Sequence, residues 1–256
     1  VAYLAVLLTL LDKDIPTLTL IFVAYCLAGS LSQIVATLML IYLFSLRNFA
    51  VGTTYARTEA FLTAVVGALF FGEFINLLGW LAIAISVAGV VIITVARTAY
   101  DRGGGVAARL INPSAAVGLT SGLGFALASL FIRRASLSLG HDGVLFPAAV
   151  TLVTVIVIQC TLLTGYLLFA QRAQFAIIAR QWKVGVFVGA TSTLGSIGWF
   201  TAFTMQNAGF VKALGQIEFI FTLAISVLFF KEKSSPGEIA GMALVVAGII
   251  ALLTAA

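Results

Sequence analysis

Charged residues are scarce in this sequence. Asp, Glu, Lys and Arg together make up 9% of the 256 residues, whereas 62% of the residues are hydrophobic. Soluble domains carry roughly 25% charged residues, and a water-soluble fold could not hide this much apolar surface in its core. The composition therefore predicts an integral membrane protein whose surroundings are a lipid bilayer.

Cysteine and histidine are almost missing. The two cysteines, Cys26 and Cys160, lie inside apolar runs, and the one histidine, His141, lies in a short polar stretch. This pattern provides neither a disulfide framework nor a set of metal ligands. The sequence also holds no HExxH, GxSxG or Walker motif. We therefore expect neither an enzyme nor a protein with a bound metal or cofactor.

Basic residues outnumber acidic ones and give a net charge of +5. In a soluble protein this excess would suggest a nucleic-acid partner. Here most of the basic residues lie in short connections between apolar runs, where they set the membrane topology. We therefore expect no nucleic-acid partner.

Long apolar runs divide the chain into candidate membrane-spanning helices. A helix crosses a bilayer with about 20 mainly apolar residues, whereas the strands of a membrane barrel alternate over roughly ten residues. After a short apolar piece that ends near Leu11, continuous runs lie near 17–46, 50–71, 75–97, 113–137, 143–170, 184–206, 208–230 and 236–255. The sequence therefore predicts an all-α, polytopic bundle of transmembrane helices.

The second half of the chain repeats the first. A shift of 159 positions aligns the two halves without a gap, so that "LFFGE" (69–73) meets "LFFKE" (228–232) and Glu59 meets Glu218. Apolar identities arise by chance in so biased a composition, but matched polar residues in one register do not. The further polar matches in this register are Asn48 with Asn207 and Thr63 with Thr222.

The register of the repeat predicts five helices in each half. The run at 143–170 maps back to a segment ending at residue 11, and the run from Pro113 maps to positions before residue 1. We therefore expect the first helix and part of the second helix to lie outside this sequence. An odd number of helices inserts the two halves into the membrane in opposite directions. The prediction is two inverted five-helix repeats, with a first repeat at 1–98, a Gly-rich linker at 99–112 and a second repeat at 113–256.

Two stretches resemble the repeat of the drug/metabolite transporter superfamily, in its ten-helix EamA-type branch. They are "GTTYARTEAFLTAVVGALFFGEFINLLGWLAIAISVAGVVII" (52–93) and "GQIEFIFTLAISVLFFKEKSSPGEIAGMALVVAGIIALL" (215–253). The run "SGLGFALASLFIRRASLSL" (121–139) resembles the first helix of that family's second repeat. The resemblance implies a central cavity lined by helices of both repeats and opening alternately to each side. It also implies export or exchange of a small metabolite.

Two acids interrupt the apolar runs at equivalent places. Glu59 and Glu218 each lie about ten residues into a predicted span, where a charge costs about 2.5–3.5 kcal/mol and usually faces the bundle interior or a wet cavity. We predict that both acids bind a proton or a cationic group of the substrate. In the alternative interpretation, either acid pairs with Arg57 or Lys212 and ties helices together. Arg57 is two residues from Glu59, so its partner is expected on another helix.

Amide and aromatic side chains within the spans are further candidates for a substrate site, because they donate hydrogen bonds or stack on a ligand. Gln216 occupies the repeat position of Arg57, so both side chains are expected to point inward. The remaining candidates are Tyr55, Gln33, Trp199, Tyr42 and Gln206. For the tryptophan and Tyr42, the alternative is helix packing or an aromatic belt at the membrane interface.

Charges at the ends of the spans are expected in loops. Glu73 and Glu232 end their spans, so we expect them to be solvated.

Lys and Arg in short loops favour the cytoplasm. Their distribution places the C-terminus outside, whereas the resemblance implies that both termini are cytoplasmic. The richer set of loops holds Arg47, Arg97, Arg102, Arg109, Arg172, Arg180, Lys183, Lys231 and Lys233, and the poorer set holds Lys13, Arg133, Arg134 and Lys212.

The sequence supports two interpretations of function. The first is a secondary active transporter in a bacterial inner membrane that exports or exchanges a small polar metabolite, such as an amino acid or amine, with protons as the candidate coupling ion. The second is a non-transporting membrane subunit of the same fold that binds a partner protein or lipid. A small-molecule substrate and the lipid bilayer are the expected partners, and a homodimer or another membrane protein is left open.

Overall fold

The computed structural model of the protein describes residues 16–46, 58–101, 113–140, 143–218 and 235–255, together with residues 4, 56, 220, 221, 225 and 228. These residues form nine α-helices and no strand. The helices are α1 (Leu20–Ser45), α2 (Glu59–Phe70), α3 (Leu77–Asp101), α4 (Pro113–Ser138), α5 (Leu145–Ala170), α6 (Gln174–Arg180), α7 (Trp182–Met205), α8 (Ala208–Gly215) and α9 (Pro236–Ala255). The all-α prediction is confirmed.

Five of these helices, α1, α4, α5, α7 and α9, are long and apolar enough to cross a membrane. Shorter apolar helical segments lie at Glu59–Phe70 and Leu77–Ile93. The described part of the chain is therefore a polytopic bundle of membrane helices, as its apolar runs predicted. The seven-residue α6 was not predicted, because its apolar residues are too few to form a span.

Two predicted spans are not single helices. The run near 208–230 breaks after α8, where Gln216 and Ile217 form a turn before Glu218 is helical again. The run near 50–71 has a turn at Thr58, directly before α2. Thr58 and Ile217 are equivalent under the shift of 159 positions. The two repeats therefore share a helix break at the same position.

Polar caps at equivalent positions start α3 and α9. The Asn76 side-chain oxygen accepts a hydrogen bond from the Gly79 N–H at 2.7 Å. At the repeat-equivalent position, Ser235 directly precedes α9. Its N–H donates to the Glu238 carboxylate at 2.7 Å, and its hydroxyl accepts from the Glu238 N–H at 3.3 Å. This reciprocal pair is a capping box, followed by Pro236 at the first helical position. The sequence itself thus fixes where both helices begin.

The chain divides into two compact units, and each takes residues from both sides of the predicted linker. One unit consists of Val1–Leu31 and Phe131–Gln206, and the other of Ser32–Leu130 and Asn207–Ala256. We name them the α7 unit and the α8 unit after a helix that each contains. The predicted repeat boundaries at 1–98, 99–112 and 113–256 stay a prediction.

Within the α7 unit, a half-buried arginine binds the end of a helix. The Arg133 guanidinium donates to the carbonyls of Phe203 and Gln206 at 2.6 Å each. A cation at the carbonyl end of a helix is favoured by the helix dipole and satisfies orphan acceptors. The neighbouring hydroxyls of Ser136 and Thr204 lie 2.6 Å apart. Arg133 was predicted as a loop charge, which is wrong because its side chain is bound to the end of α7.

Within the α8 unit, two repeat-equivalent glycines bring α3 and α9 together. A Cβ added at Gly89 would lie 2.6 Å from the Gly241 carbonyl oxygen, and one added at Gly248 would lie 2.7 Å from the Ser86 nitrogen. Gly89 of α3 meets Gly241 of α9, whereas the earlier residue Ser86 meets the later residue Gly248. The two helices therefore pack antiparallel. Inverted repeats require their equivalent helices to run in opposite directions, and α3 and α9 do so.

Candidate functional site

The two broken helices meet in the α8 unit. Half-helix α8 packs against α2, and a Cβ added at Gly209 would lie 3.0 Å from the Cα and Cβ of Ala64. Further along, Lys212 of α8 faces Glu59 of α2. The contacts between α8 and α2 therefore extend from the start of α8 to the two helix breaks.

An ion pair lies beside the breaks. The Lys212 ammonium is 3.6 Å from the Glu59 carboxylate, and the side chains are 12% and 31% exposed. Lys212 also lies 5.9 Å from the centre of the Phe125 ring, within the range of a cation–π contact. Glu59 is the first residue of α2 and Lys212 lies in the last turn of α8. Each charge therefore complements the dipole of its own helix end, which lowers the cost of placing it in an apolar unit.

Gln216 provides an unsatisfied buried amide. Its side chain is 6% exposed, and its oxygen accepts a hydrogen bond from the Ser86 hydroxyl at 2.5 Å. Its amide nitrogen has no hydrogen-bond partner among the described residues. Exchanging the amide oxygen and nitrogen would still leave one end of the group without a partner. A buried polar group normally finds a protein, water or ligand partner.

The structure brings only some of the predicted site residues together. Glu59 pairs with Lys212, as the alternative interpretation from the sequence proposed, and Gln216 lies one helical turn beyond Lys212. Glu218 follows the break and is exposed, and its role in the site stays a prediction. Arg57 and Tyr55 lie outside the described residues.

The remaining candidates are found on other helices. Gln33 is half-buried in α1, and its backbone carbonyl accepts the Thr37 hydroxyl. Trp199 is 37% exposed in the α7 unit, where its ring lies 5.6 Å from that of Phe203. The final two candidates are Tyr42, which is 53% exposed, and Gln206, whose carbonyl accepts from Arg133.

Sequence reasoning misplaced two further charges besides Arg133. Lys212 was assigned to the loops that set orientation, but it lies within α8 and is largely buried. Glu73 was expected to be solvated, but it is 8% exposed and accepts a hydrogen bond from the Ala208 N–H at 3.1 Å. The signal for Glu73 was present in the repeated "LFFGE" and "LFFKE", which end in glutamate in both halves. Glu232 itself lies outside the described residues.

Metal ligands do not cluster in the described part of the chain. Nowhere among those residues do three or more His, Cys, Asp or Glu side chains come together as a metal site would require. The polar groups that gather near the breaks are instead a carboxylate, an ammonium, an amide and a hydroxyl. This set can bind charged and hydrogen-bonding groups of a small organic molecule.

Comparison with known proteins identifies the family. Residues 112–254 match the EamA-like transporter family, which is part of the drug/metabolite transporter superfamily. A solved structure described only as "Crystal structure of protein" matches 100% of this chain and 96% of its own chain, with 14% identity and a TM-score of 0.56, so it supports the fold alone. No curated protein matches. Because the matched residues make up more than half of the chain, this protein belongs to the EamA-like transporter family and is an integral membrane protein of the drug/metabolite transporter type.

Proposed function

We propose that this protein is a secondary active transporter that exports or exchanges a small polar metabolite carrying both an amine and an acidic or carbonyl oxygen. The observation that carries the proposal is the Glu59–Lys212 ion pair, which lies beside the unpartnered amide of Gln216 at the shared helix break. An amino acid fits this description. The proposed location is a bacterial inner membrane.

A break in a membrane helix leaves backbone groups without intrahelical partners. Such breaks are tolerated only where the backbone is buried in protein or lines a water-filled cavity. In many transporters, discontinuous helices at the interface of inverted repeats form the substrate site. The breaks at Thr58 and at Gln216–Ile217 lie at equivalent positions of the two repeats, which supports a site there.

The ion pair is open enough to exchange partners. Its 3.6 Å separation is longer than the roughly 2.7–2.9 Å of a strong charge-assisted hydrogen bond. Removing one partner of a buried pair leaves an uncompensated charge, which is costly. A ligand with both charges avoids this cost, because its amine replaces Lys212 at Glu59 while its acidic group takes Lys212 and the Gln216 amide.

Glu59 is also the proposed site of proton exchange. A carboxylate that releases the substrate amine on one side of the membrane can take up a proton before the empty carrier returns. Arg57 and Glu218 are the repeat equivalents of Gln216 and Glu59. We propose that they contribute a second set of charges to this site.

The test is a flux assay in liposomes containing an internal pH dye and the full-length protein. A panel of amino acids and amines is added to the wild type and to Glu59→Gln and Lys212→Gln, with Arg180→Gln at an exposed site in α6 as the control for lost charge. We expect a substrate-dependent proton flux that both site variants abolish and the control retains.

Radiolabelled exchange of the same compounds covers transport without protons. Exchange without proton flux would contradict proton coupling and leave transport standing. A folded wild-type protein that moves none of the compounds in either assay would contradict the transporter proposal and favour the partner-binding subunit. Unchanged transport in both site variants would remove the ion pair from the proposed site.

A further inference from the structure

Glu73 joins segments that the sequence assigns to different repeats. Its buried carboxylate accepts the backbone N–H of Ala208, the first residue of α8, at 3.1 Å. Beside it, the Asn207 side-chain amide donates to the carbonyl of Phe74 at 2.9 Å. The carboxylate also lies against Gly67, where an added Cβ would come 3.1 Å from a Glu73 oxygen. We name Glu73, Phe74, Asn207 and Ala208 the clasp.

The clasp contacts the first residue of half-helix α8. The helix is eight residues long and is bounded by a non-helical residue at Asn207 and by the turn at Gln216. Its first N–H groups have no intrahelical acceptors, and a carboxylate at this end satisfies one of them and complements the dipole. The same short helix carries Lys212 and leads directly into Gln216.

We propose that Glu73 is a positioning residue for transport: through the clasp it fixes the half-helix that carries Lys212 and Gln216, and the clasp opens in every transport cycle. The second part rests on the proposed alternating-access function. Glu73 does not touch the substrate in this scheme. It acts through Ala208 on the two side chains at the other end of α8.

The opening follows from geometry. Alternating access moves one inverted repeat against the other around a site at their interface. In the proposed movement the helix break is the pivot, and Ala208 lies about 12 Å along the helix from Gln216, at 1.5 Å per residue, so its displacement is the larger one. The Glu73–Ala208 contact joins the two repeats at this distance from the break. We therefore expect it to separate when one repeat moves while the break region stays in place.

The anchoring part is tested without any substrate. Ala208 is fully buried, so an Ala208→Cys variant, in a background with Cys26→Ala and Cys160→Ser, reports exposure of the start of α8 to a permeant maleimide. Glu73→Ala leaves the Ala208 N–H without its acceptor, and we expect labelling to become about fivefold faster or more. Glu73→Gln keeps an acceptor oxygen, and its labelling rate is expected within twofold of the parent. Equal rates in all three proteins would overturn the anchoring role.

The opening part is tested by locking α8 against α2. The Cβ positions at Ala64 and Gly209 lie 3.0 Å apart, and a disulfide needs about 3.5–4.5 Å, so Ala64→Cys with Gly209→Cys can form a bond after a small outward shift. We expect oxidation to abolish flux of whichever panel compound the parent transports best, and reduction to restore it.

The matched control lock lies within one predicted repeat. The Ser136 and Thr204 hydroxyls are 2.6 Å apart, so Ser136→Cys with Thr204→Cys forms a disulfide that does not join the repeats. We expect it to leave flux intact under the same oxidation. Full flux with the Ala64–Gly209 lock closed would overturn the opening role. If the unlocked parent transports nothing, the proposed function fails and the opening role with it, while the labelling assay still decides the anchoring role.

Discussion

At the scale of single residues, four charged side chains in the described part of the chain lie at helix ends or bind to them. Glu59 begins α2, Lys212 lies in the last turn of α8, Glu73 accepts from the start of α8, and Arg133 donates to the end of α7. Helix ends carry partial charges and unpaired backbone groups that an opposite charge satisfies. An apolar chain can therefore hold ionised side chains at its helix breaks at a much lower cost than in the middle of a continuous helix.

Removing the two members of the ion pair is expected to have unequal effects on stability. Glu59→Gln leaves Lys212, which is 12% exposed, without its carboxylate, whereas Lys212→Gln leaves the 31% exposed Glu59 without its ammonium. We expect a loss of about 1–3 kcal/mol for Glu59→Gln and a smaller one for Lys212→Gln, since the more buried charge is harder to solvate. The measurement is thermal unfolding in detergent.

The double variant completes this cycle. Glu59→Gln with Lys212→Gln removes both charges, so its loss of stability is expected to be smaller than the sum of the single losses. Lys183→Gln, at an exposed position, is the control. Additive losses in the double variant would show that the two side chains are not energetically coupled.

At the scale of helices, close backbone contact holds α3 and α9 together. Apolar side chains gain little by leaving lipid, so membrane helices associate through packing and small residues at their interface. Gly89 and Gly248 are such residues, because each lies against backbone atoms of the facing helix. Their equivalence under the repeat makes the contact symmetric.

Gly89→Ala is expected to destabilise the protein, because the new methyl would meet the Gly241 carbonyl at 2.6 Å and Val245 at 2.8 Å. Overpacking of this kind costs about 1–3 kcal/mol. Gly198→Ala, in α7 with nothing within 4 Å, is the matched control and is expected to gain about 0.5–1 kcal/mol from lower chain entropy. Thermal unfolding in detergent measures both, and a Gly89→Ala protein as stable as the control would refute the tight contact.

At the scale of the whole molecule, the inverted repeat predicts opposite sidedness for equivalent positions. Phe74 is 85% exposed and corresponds to Lys233 under the shift of 159 positions. In the cysteine-free background, Phe74→Cys and Lys233→Cys are expected to react with an impermeant maleimide from opposite faces of the membrane. Sealed vesicles of known orientation supply the measurement. Labelling of both positions from one face would contradict an inverted arrangement.

The same labelling settles the orientation that the charges left open. The loop count predicted an outside C-terminus, but it included Arg133 and Lys212, which the structure assigns to helix contacts. Without these two residues, the set of loops with fewer Lys and Arg residues has fewer still. The bias therefore keeps its direction, and labelling of Phe74→Cys from the cytoplasmic or the outer face shows whether it is obeyed.

The sequence alone determined the membrane class, the helical content, most helix bounds and the repeat, because these depend on apolar run length, local caps and residue identity at a fixed spacing. It also singled out Glu59 and Gln216 as polar residues in apolar runs. Only the tertiary structure decided that Lys212 is the partner of Glu59, that Glu73 binds the start of α8, and that two predicted spans are broken. The first two features depend on which residues, more than 100 positions apart in the chain, meet in space, and the breaks lie inside apolar runs. Hydropathy averaged along the chain reports neither.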